Sequence, residues 1–91
     1  MAEQYQPPHP GRPVREAMEA LGLSINAFAR ELRVSPATAH RLVTEKAALS
    51  PEMAVRLSAV VGHSPNYWLQ YQVDYDLWNA LERVDVSAFA R

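Results

Sequence analysis

The chain has 91 residues, no cysteine and a formal net charge of −1, with 48% hydrophobic and 21% charged residues. This composition is typical of one globular domain, and it excludes a disordered chain, a disulfide-stapled scaffold and a thiolate metal site. The sequence lacks an apolar run of the ~18 residues that a membrane helix needs and lacks a signal-peptide pattern, so we expect a cytoplasmic protein without a membrane partner.

Residues 1–12 are predicted to form a flexible N-terminal arm, because they are rich in proline and show no apolar periodicity. Pro13 then suits the first position of a helix, where a missing backbone N–H costs nothing. The inward face of this helix is predicted to consist of Val14, Met18 and Leu21. Gly22 is predicted to end it.

Two short helices joined by a tight turn are predicted within residues 24–46. Ser24 and Ser35 are suited to cap them, because a serine oxygen accepts hydrogen bonds from the free amides of a first turn. Pro36 follows the second cap at a position where proline is tolerated. The residues predicted to face inward are Phe28, Ala29, Leu32, Ala39, Leu42 and Val43. The pair is either a helix-turn-helix, whose second helix enters the DNA major groove, or an ordinary hairpin of an all-α domain.

The outward face of the second helix carries residue types that suit base recognition. Arg41 can donate two hydrogen bonds to a guanine edge, and Ala37 and Thr38 can contact a thymine methyl group. Free amides at the start of the preceding helix favour a phosphate beside Asn26, and Lys46 follows the recognition helix as a phosphate contact. The full set of predicted DNA contacts is Asn26, Arg33, Ser35, Ala37, Thr38, His40, Arg41, Thr44 and Lys46.

Ser50-Pro51 and Ser64-Pro65 repeat the hydroxyl-then-proline signal and predict the starts of a fourth and a fifth helix. The fifth is predicted to reach about residue 81 and to carry two apolar stripes. One stripe consists of Tyr67, Tyr71, Tyr75 and Trp78, and the other of Leu69, Val73, Leu77 and Ala80.

Two apolar stripes on one helix indicate burial on both sides, and a domain of this size has few elements to cover the second. We therefore expect a homodimer in which the tyrosine stripe meets its copy across a two-fold axis. A partly hydrated tyrosine face is the alternative, since tyrosine tolerates exposure of its hydroxyl group. Residues 82–91 form a short C-terminal tail that alternates like a strand over too few positions to decide its structure.

Charge is unevenly distributed along the chain. Residues 24–46 hold four positive and two acidic residues, a balance of +2, whereas residues 57–91 hold two positive and four acidic residues, a balance of −2. This pattern is compatible with DNA at one end and a basic protein at the other, and also with chance scatter of a few charges.

The chain from His9 to Asn79 resembles the HigA-type antitoxins of bacterial toxin–antitoxin modules, which carry an XRE/Cro-type helix-turn-helix. The matching pieces keep their order: His9-Pro10-Gly11, Leu23-Ser24, Ala27-Phe28-Ala29, Val34-Ser35, Arg41-Leu42, Ser50-Pro51-Glu52-Met53-Ala54, Arg56-Leu57-Ser58, Ser64-Pro65, Trp68-Leu69 and Tyr75-Asp76-Leu77-Trp78. The resemblance implies an all-α, five-helix, lambda-repressor-like DNA-binding domain over residues 13–81.

The resemblance also implies a function. Such an antitoxin binds a palindromic operator in double-stranded DNA as a dimer, represses its own operon and neutralises a cognate toxin of the RelE-like, mRNA-cleaving type. The alternatives are a free-standing XRE-type repressor without a toxin and a protein-interaction adaptor that does not bind DNA. An enzyme, a cofactor and a metal site are not expected, because His9, His40 and His63 follow no metal-binding pattern and the acids no catalytic one.

Two positions depart from the family in a way that affects the backbone. The family usually has glycine where Arg33 stands in the turn and where Glu45 stands after the recognition helix. Those glycines supply left-handed conformations. A side chain at either position is therefore expected to cost about 1 kcal/mol or to force another turn geometry. Arg12-Pro13 is a third departure from the usual residues after the glycine.

Overall fold

Residues 6–89 are described by the computed structural model of this protein. They form five α-helices, α1 Gly11–Ala20, α2 Ile25–Leu32, α3 Pro36–Val43, α4 Pro51–Val61 and α5 Pro65–Arg83, and a single 3-10 turn at Val86–Ala88. The predicted five-helix, all-α fold is confirmed, and in the described range the tail contains that turn rather than a strand. No helix in this range is long and apolar enough to cross a lipid bilayer. Residues 1–5 of the predicted arm and 90–91 of the predicted tail lie outside the described residues.

Serine caps begin four of the five helices. Ser24, Ser35, Ser50 and Ser64 each accept a hydrogen bond through Oγ from the backbone amide three residues later, at 3.1 Å in every case. Proline follows three of these caps at the start of the helix. A side-chain cap is worth about 1 kcal/mol, so these helix starts are fixed by local sequence, as predicted.

Helix α1 begins at Gly11, and the predicted start at Pro13 is wrong by two residues. The His9 Nδ1 atom accepts a hydrogen bond from the Gly11 amide at 2.9 Å, and the His9 carbonyl accepts one from the Arg12 amide at 3.0 Å. These contacts order a first turn upstream of Pro13, whose ring is tolerated there because the first four helical amides need no intrahelical partner. Pro10 and Gly11, both within the predicted arm, are buried.

Leu21 is 50% exposed, so its predicted place in the core is wrong. It occupies the C-cap of α1, and the chain then turns through Gly22 at φ +71°. Val14 and Met18 form the buried stripe without Leu21, and Leu23, beyond the turn, packs against the core. Gly22 ends the helix as predicted, in the left-handed conformation that glycine adopts without strain.

The core lies between the first four helices and the start of the fifth. All six residues predicted to face inward from α2 and α3 are buried. The buried cluster consists of Val14, Met18, Phe28, Leu32, Leu42, Val43, Leu49, Met53, Ala54, Leu57 and Trp68. Trp68 is the one residue of α5 that is buried, and its indole N–H donates to the Gly62 carbonyl at 2.9 Å. Leu69 and Tyr71, on the following turn of α5, are partly buried against this cluster. The described residues have dimensions of 52 × 25 × 23 Å.

Candidate nucleic-acid interface

Helices α2 and α3 each bury a small residue. Ala29 and Ala39 are 1% and 0% exposed. Helix α2 ends in a Schellman motif, in which the Val34 amide donates to the Ala29 carbonyl at 3.0 Å and the Arg33 amide to the Arg30 carbonyl at 3.1 Å. The short turn that follows leads into Pro36 and sets α3 across α2 as a helix-turn-helix.

The left-handed backbone at both family glycine positions is preserved. Arg33 has φ 62° and Glu45 has φ 67°. Glu45 sits in a second Schellman motif after α3, where the Lys46 amide donates to the Arg41 carbonyl at 2.8 Å. Of the two outcomes expected from the sequence, the first holds: the turn geometry stays, and each side chain bears a conformational cost of about 1 kcal/mol.

None of the nine predicted DNA contacts lies in the core. Thr38 and Thr44 are partly exposed and the others are exposed: Asn26, Arg33, Ser35, Ala37, His40, Arg41 and Lys46. They lie on the outward face of α3, in the turn before it, in the turn after it, and at the start of α2. The nine residues are spread over 21 positions of sequence, from 26 to 46. The two turns bring them together on the surface of one motif.

The hydroxyl groups in this set already make local hydrogen bonds. Ser35 Oγ caps α3 and donates to Thr38 Oγ1 at 2.9 Å. The Thr38 hydroxyl thus accepts from Ser35, and its own hydrogen is left to donate to a phosphate or a base. Thr44 Oγ1 donates to the His40 carbonyl at 2.6 Å, which leaves its lone pairs to accept. The Ser35 hydroxyl is consequently used within the helix, whereas the hydroxyl groups of Thr38 and Thr44 can each still form a hydrogen bond with a ligand.

The cations of this motif are not neutralised by protein groups in the described range. Residues 6–89 contain one ion pair, between Arg56 and Glu52 on α4 at 2.9 Å. Arg41 and Lys46 make no side-chain hydrogen bond within that range. Exposed guanidinium and ammonium groups without an ion-pair partner in that range therefore lie beside the free surface of α3, and residues 24–46 have a charge balance of +2 although the whole chain has −1.

A cleft separates the start of α2 from the start of α3, and it reveals a residue that sequence reasoning missed. Its volume is about 340 Å³. The lining residues are Asn26, Ala29, Arg30, Val34 and Pro36. Arg30 is exposed and stands one helical turn after Asn26, so both side chains border the same cleft. The i, i+4 spacing of an amide and a cation near the start of α2 is the signal that could have identified Arg30.

The His9-Pro10-Gly11 segment braces the end of the recognition helix. A Cβ atom on Gly11 would overlap the Leu42 carbonyl oxygen, and it would lie 3.2 Å from His9 Nδ1 and 3.3 Å from Glu45 Cγ. Arg15, one turn further along α1, donates from Nη1 to the Val43 carbonyl at 3.5 Å. The absence of a side chain at Gly11 therefore allows the first turn of α1 to approach the last turn of α3.

The tyrosine stripe of α5 is occupied largely by contacts within the chain. Tyr67 stacks on His63 with ring centroids 4.0 Å apart, and its hydroxyl lies 3.2 Å from that of Tyr71. Tyr71 packs against the core, and the Tyr75 ring meets the His9 ring edge-on at 5.0 Å. These contacts turn much of the stripe toward the protein's own domain.

The opposite stripe of α5 is open only in part. Of its four predicted members, Leu69 packs against the core and Ala80 is half-buried, whereas Val73 and Leu77 are 51% and 55% exposed. Leu81, outside the predicted stripe, is 65% exposed and continues the spacing of Val73 and Leu77. Leu77 and Leu81 share a groove with Trp78, Asp74 and Pro7. Three apolar side chains spaced four residues apart form a continuous exposed strip, and a strip of this kind on a small protein marks an interaction surface more often than a random surface does.

Known proteins share this sequence pattern and this fold. Residues 14–68 match the family described as Helix-turn-helix. The chain is 46% identical to the uncharacterized HTH-type transcriptional regulator YddM of Escherichia coli, over 92% of this chain and 89% of the relative. Its structure is similar to that of antitoxin GraA, with a TM-score of 0.87 and 32% identity over 97% and 99% of the two chains. It is also similar to Pseudomonas aeruginosa antitoxin HigA, solved with the higBA promoter, with a TM-score of 0.79 and 35% identity over 84% of each chain.

Proposed function

This chain belongs to the helix-turn-helix family, among the HigA-type antitoxins, and from that premise we propose that it binds a palindromic operator as a homodimer and represses its own operon. In this proposal α3 enters the major groove and the nine predicted contacts, joined by Arg30, hold the DNA. The observation that carries it is the exposed face of α3, where Arg41 and the neighbouring Lys46 have no protein partner within residues 6–89. A repressor of this kind acts where bacterial DNA lies, in the cytoplasm.

The test of this function is a gel shift with the promoter of the gene itself. The full-length protein should retard a duplex from that promoter at concentrations that leave a scrambled duplex free, and added salt should weaken the complex. Equal affinity for both duplexes would exclude sequence-specific repression. No retardation of either duplex would favour the protein-interaction adaptor.

Arg41→Ala is expected to weaken operator binding by about 1–3 kcal/mol and to relax the preference at one base pair, because a bidentate arginine–guanine contact would be lost. Anisotropy titrations against operators that carry each base at each position would measure both effects. Arg12→Ala, which removes an exposed arginine of α1, is the matched control and should change neither. A loss of equal size on random duplex would reduce Arg41 to a phosphate contact.

Lys46→Ala is expected to weaken binding to every sequence by a similar factor and to lower the slope of log K against log salt by about one charge. The reason is that a single ammonium group facing a phosphate releases counterions without reading a base. Lys46→Arg should keep the slope. Affinities at several salt concentrations decide the matter, and an unchanged slope for Lys46→Ala removes this residue from the contacts.

For the dimer we propose the exposed stripe of α5 as the two-fold contact, in place of the tyrosine stripe favoured by the sequence. The exposure of Val73, Leu77 and Leu81 supports this choice, and so does the intrachain packing of Tyr71 and Tyr75. Trp78 stays in the proposed interface at its edge, since it lines the groove beside Leu77. The tail also exposes three apolar residues: Val84, Val86 and Phe89.

Neutralisation of a RelE-like, mRNA-cleaving toxin is the second part of the proposal. It is supported by the kinship with antitoxins and by the acidic balance of residues 57–91, which suits a basic partner. Induction of the neighbouring gene should stop growth, and coexpression of this chain should restore growth and yield a co-purifying complex. A neighbouring gene that encodes no small basic protein would favour a free-standing repressor, a reading that the name of the E. coli relative also supports.

A further inference from the structure

Arg56, on the inner side of α4, reaches the turn of the helix-turn-helix. Its Nη1 atom donates to the Leu32 carbonyl at 2.9 Å and to the Arg33 carbonyl at 3.3 Å. Its Nη2 atom donates to Glu52 Oε2 at 2.9 Å, one turn earlier on α4. The side chain is one-third exposed. A single guanidinium group therefore joins the last two carbonyls of the α2 terminus to a carboxylate on another helix.

The two carbonyls need such a donor. Carbonyl groups in the last turn of a helix have no intrahelical partner, and they carry the negative end of the helix dipole. A cationic donor at this point makes charge-assisted hydrogen bonds, which are stronger than bonds between neutral groups. The Schellman motif at the end of α2 uses the Ala29 and Arg30 carbonyls, so it leaves those of Leu32 and Arg33 to Arg56.

The turn that Arg56 holds is also strained. Arg33 keeps φ 62° and ψ 45° with a full side chain, where glycine would adopt this conformation without strain. The backbone angles of Arg33 set the direction in which the chain continues through Val34 and Ser35 to the start of α3. A relaxation at Arg33 would therefore swing the recognition helix relative to α2, although the hydrophobic faces of both helices could stay buried.

We propose that Arg56 is a positioning residue for DNA recognition: by binding the Leu32 and Arg33 carbonyls, it holds the non-glycine turn in its left-handed conformation and thereby fixes the angle at which α3 meets the operator. This inference rests on the proposed DNA-binding function. Arg56 acts through the turn and makes no contact with DNA. Two of its guanidinium nitrogens are already committed to protein oxygens, and Arg33, in the same turn, is free to face a phosphate.

Arg56→Met removes the donors and keeps most of the apolar stem, so it tests the bonds with little change in packing. We expect the affinity for the operator to fall about tenfold while the affinity for random duplex changes less, because a misdirected α3 loses base contacts before phosphate contacts. The salt slope should be unchanged. Glu52→Gln is the matched control. It removes the carboxylate charge, leaves both bonds to the turn, and should bind the operator like wild type.

A double-mutant cycle with Arg33→Gly tests the strain directly. Glycine holds the left-handed conformation by itself, so Arg56→Met should cost about threefold or less in the Arg33→Gly background, against about tenfold in the wild-type background. Comparing the two ratios cancels any phosphate contact that Arg33 itself provides. Amide chemical shifts of residues 32–35 in the free protein should move in Arg56→Met, and circular dichroism should show that both single variants remain helical.

Three results would overturn the inference. A salt slope that falls by about one charge in Arg56→Met would make Arg56 a phosphate contact. Equal effects of Arg56→Met in both backgrounds would mean that it does not act through the turn. If a folded Arg56→Met protein binds the operator with wild-type affinity, Arg56 contributes only to stability and does not position α3. Failure of wild-type protein to bind its promoter would instead refute the proposed function, and the chemical shifts would still test the contact.

Discussion

Val73→Glu/Leu77→Glu is expected to yield a folded monomer whose affinity for the operator is lower by about 100-fold or more. The two side chains are 51% and 55% exposed in the single chain, so glutamate should be tolerated there in the monomer. In a two-fold contact the same residues would place four carboxylates together without partners. Loss of the dimer then makes binding of the second half-site bimolecular, which removes a factor of 10²–10⁴ in avidity.

The matched control is Val55→Glu, since Val55 is an equally exposed valine, at 58%, on α4. It introduces one negative charge, against two in the double variant, at a similarly exposed surface position and should leave both the dimer and the operator affinity unchanged. Sedimentation velocity gives the oligomeric state, circular dichroism gives the helical content, and anisotropy gives the affinity. Wild type and the double variant should bind half-site duplexes with similar affinity, because each monomer keeps its recognition helix.

An unchanged dimer in Val73→Glu/Leu77→Glu would move the interface to the tyrosine stripe or to the tail. Tyr67→Glu then separates these two, because Tyr67 is 40% exposed and tolerates a charge better than Tyr71, which packs on the core. A wild-type protein that stays monomeric at high concentration would refute the dimer itself. In that case a single helix-turn-helix domain would have to account for the whole affinity for the operator.

Gly11→Ala is expected to lower the free energy of unfolding by about 2–3 kcal/mol, at the upper end of the cost of overpacking. The new methyl group would overlap the Leu42 carbonyl oxygen, which is a backbone atom of α3 and cannot rotate away. The first turn of α1 or the last turn of α3 must shift. Urea unfolding followed by circular dichroism measures the loss, and operator affinity of the folded fraction should also fall because α3 is displaced.

Gly22→Ala separates this effect from an ordinary loss of glycine. Gly22 has open space around its Cα and φ +71°, so alanine there meets no atom and incurs only conformational strain of about 1 kcal/mol. Its operator affinity should equal that of wild type once folding is complete. A Gly11→Ala protein as stable as wild type would show that α1 and α3 do not approach each other at this point.

Much of the secondary structure follows from short-range chemistry. The four serine caps and the three prolines that follow them act within one turn of the chain, so they could be identified without knowing the fold. The inward faces of α2 and α3 follow from periodicity for the same reason. The start of α1 could not be identified in this way. It depends on a histidine side chain that accepts from a backbone amide, and this is not a common cap.

Tertiary packing alone decided which face of α5 is open. Both stripes are apolar in sequence, and periodicity cannot say which one the domain covers. Two histidines cover part of the tyrosine stripe. His9, which is distant in the sequence, contacts Tyr75, and His63, which lies just before α5, stacks on Tyr67. Side-chain chemistry could not rank the two stripes, because the ranking depends on which neighbours the fold brings near.

By itself, the local sequence determined four helix starts, a pair of short helices joined by a tight turn, and the residue types on the outward face of the second helix, because these depend on contacts within a few positions. The choice of a helix-turn-helix over an ordinary hairpin, and the five-helix fold, followed from the resemblance to a family. Only the tertiary structure decided that Gly11 meets Leu42, that Arg56 binds the turn across 24 positions of sequence, and that Val73 and Leu77 are left exposed. Contacts between distant segments depend on how whole helices pack, and no local pattern encodes that arrangement.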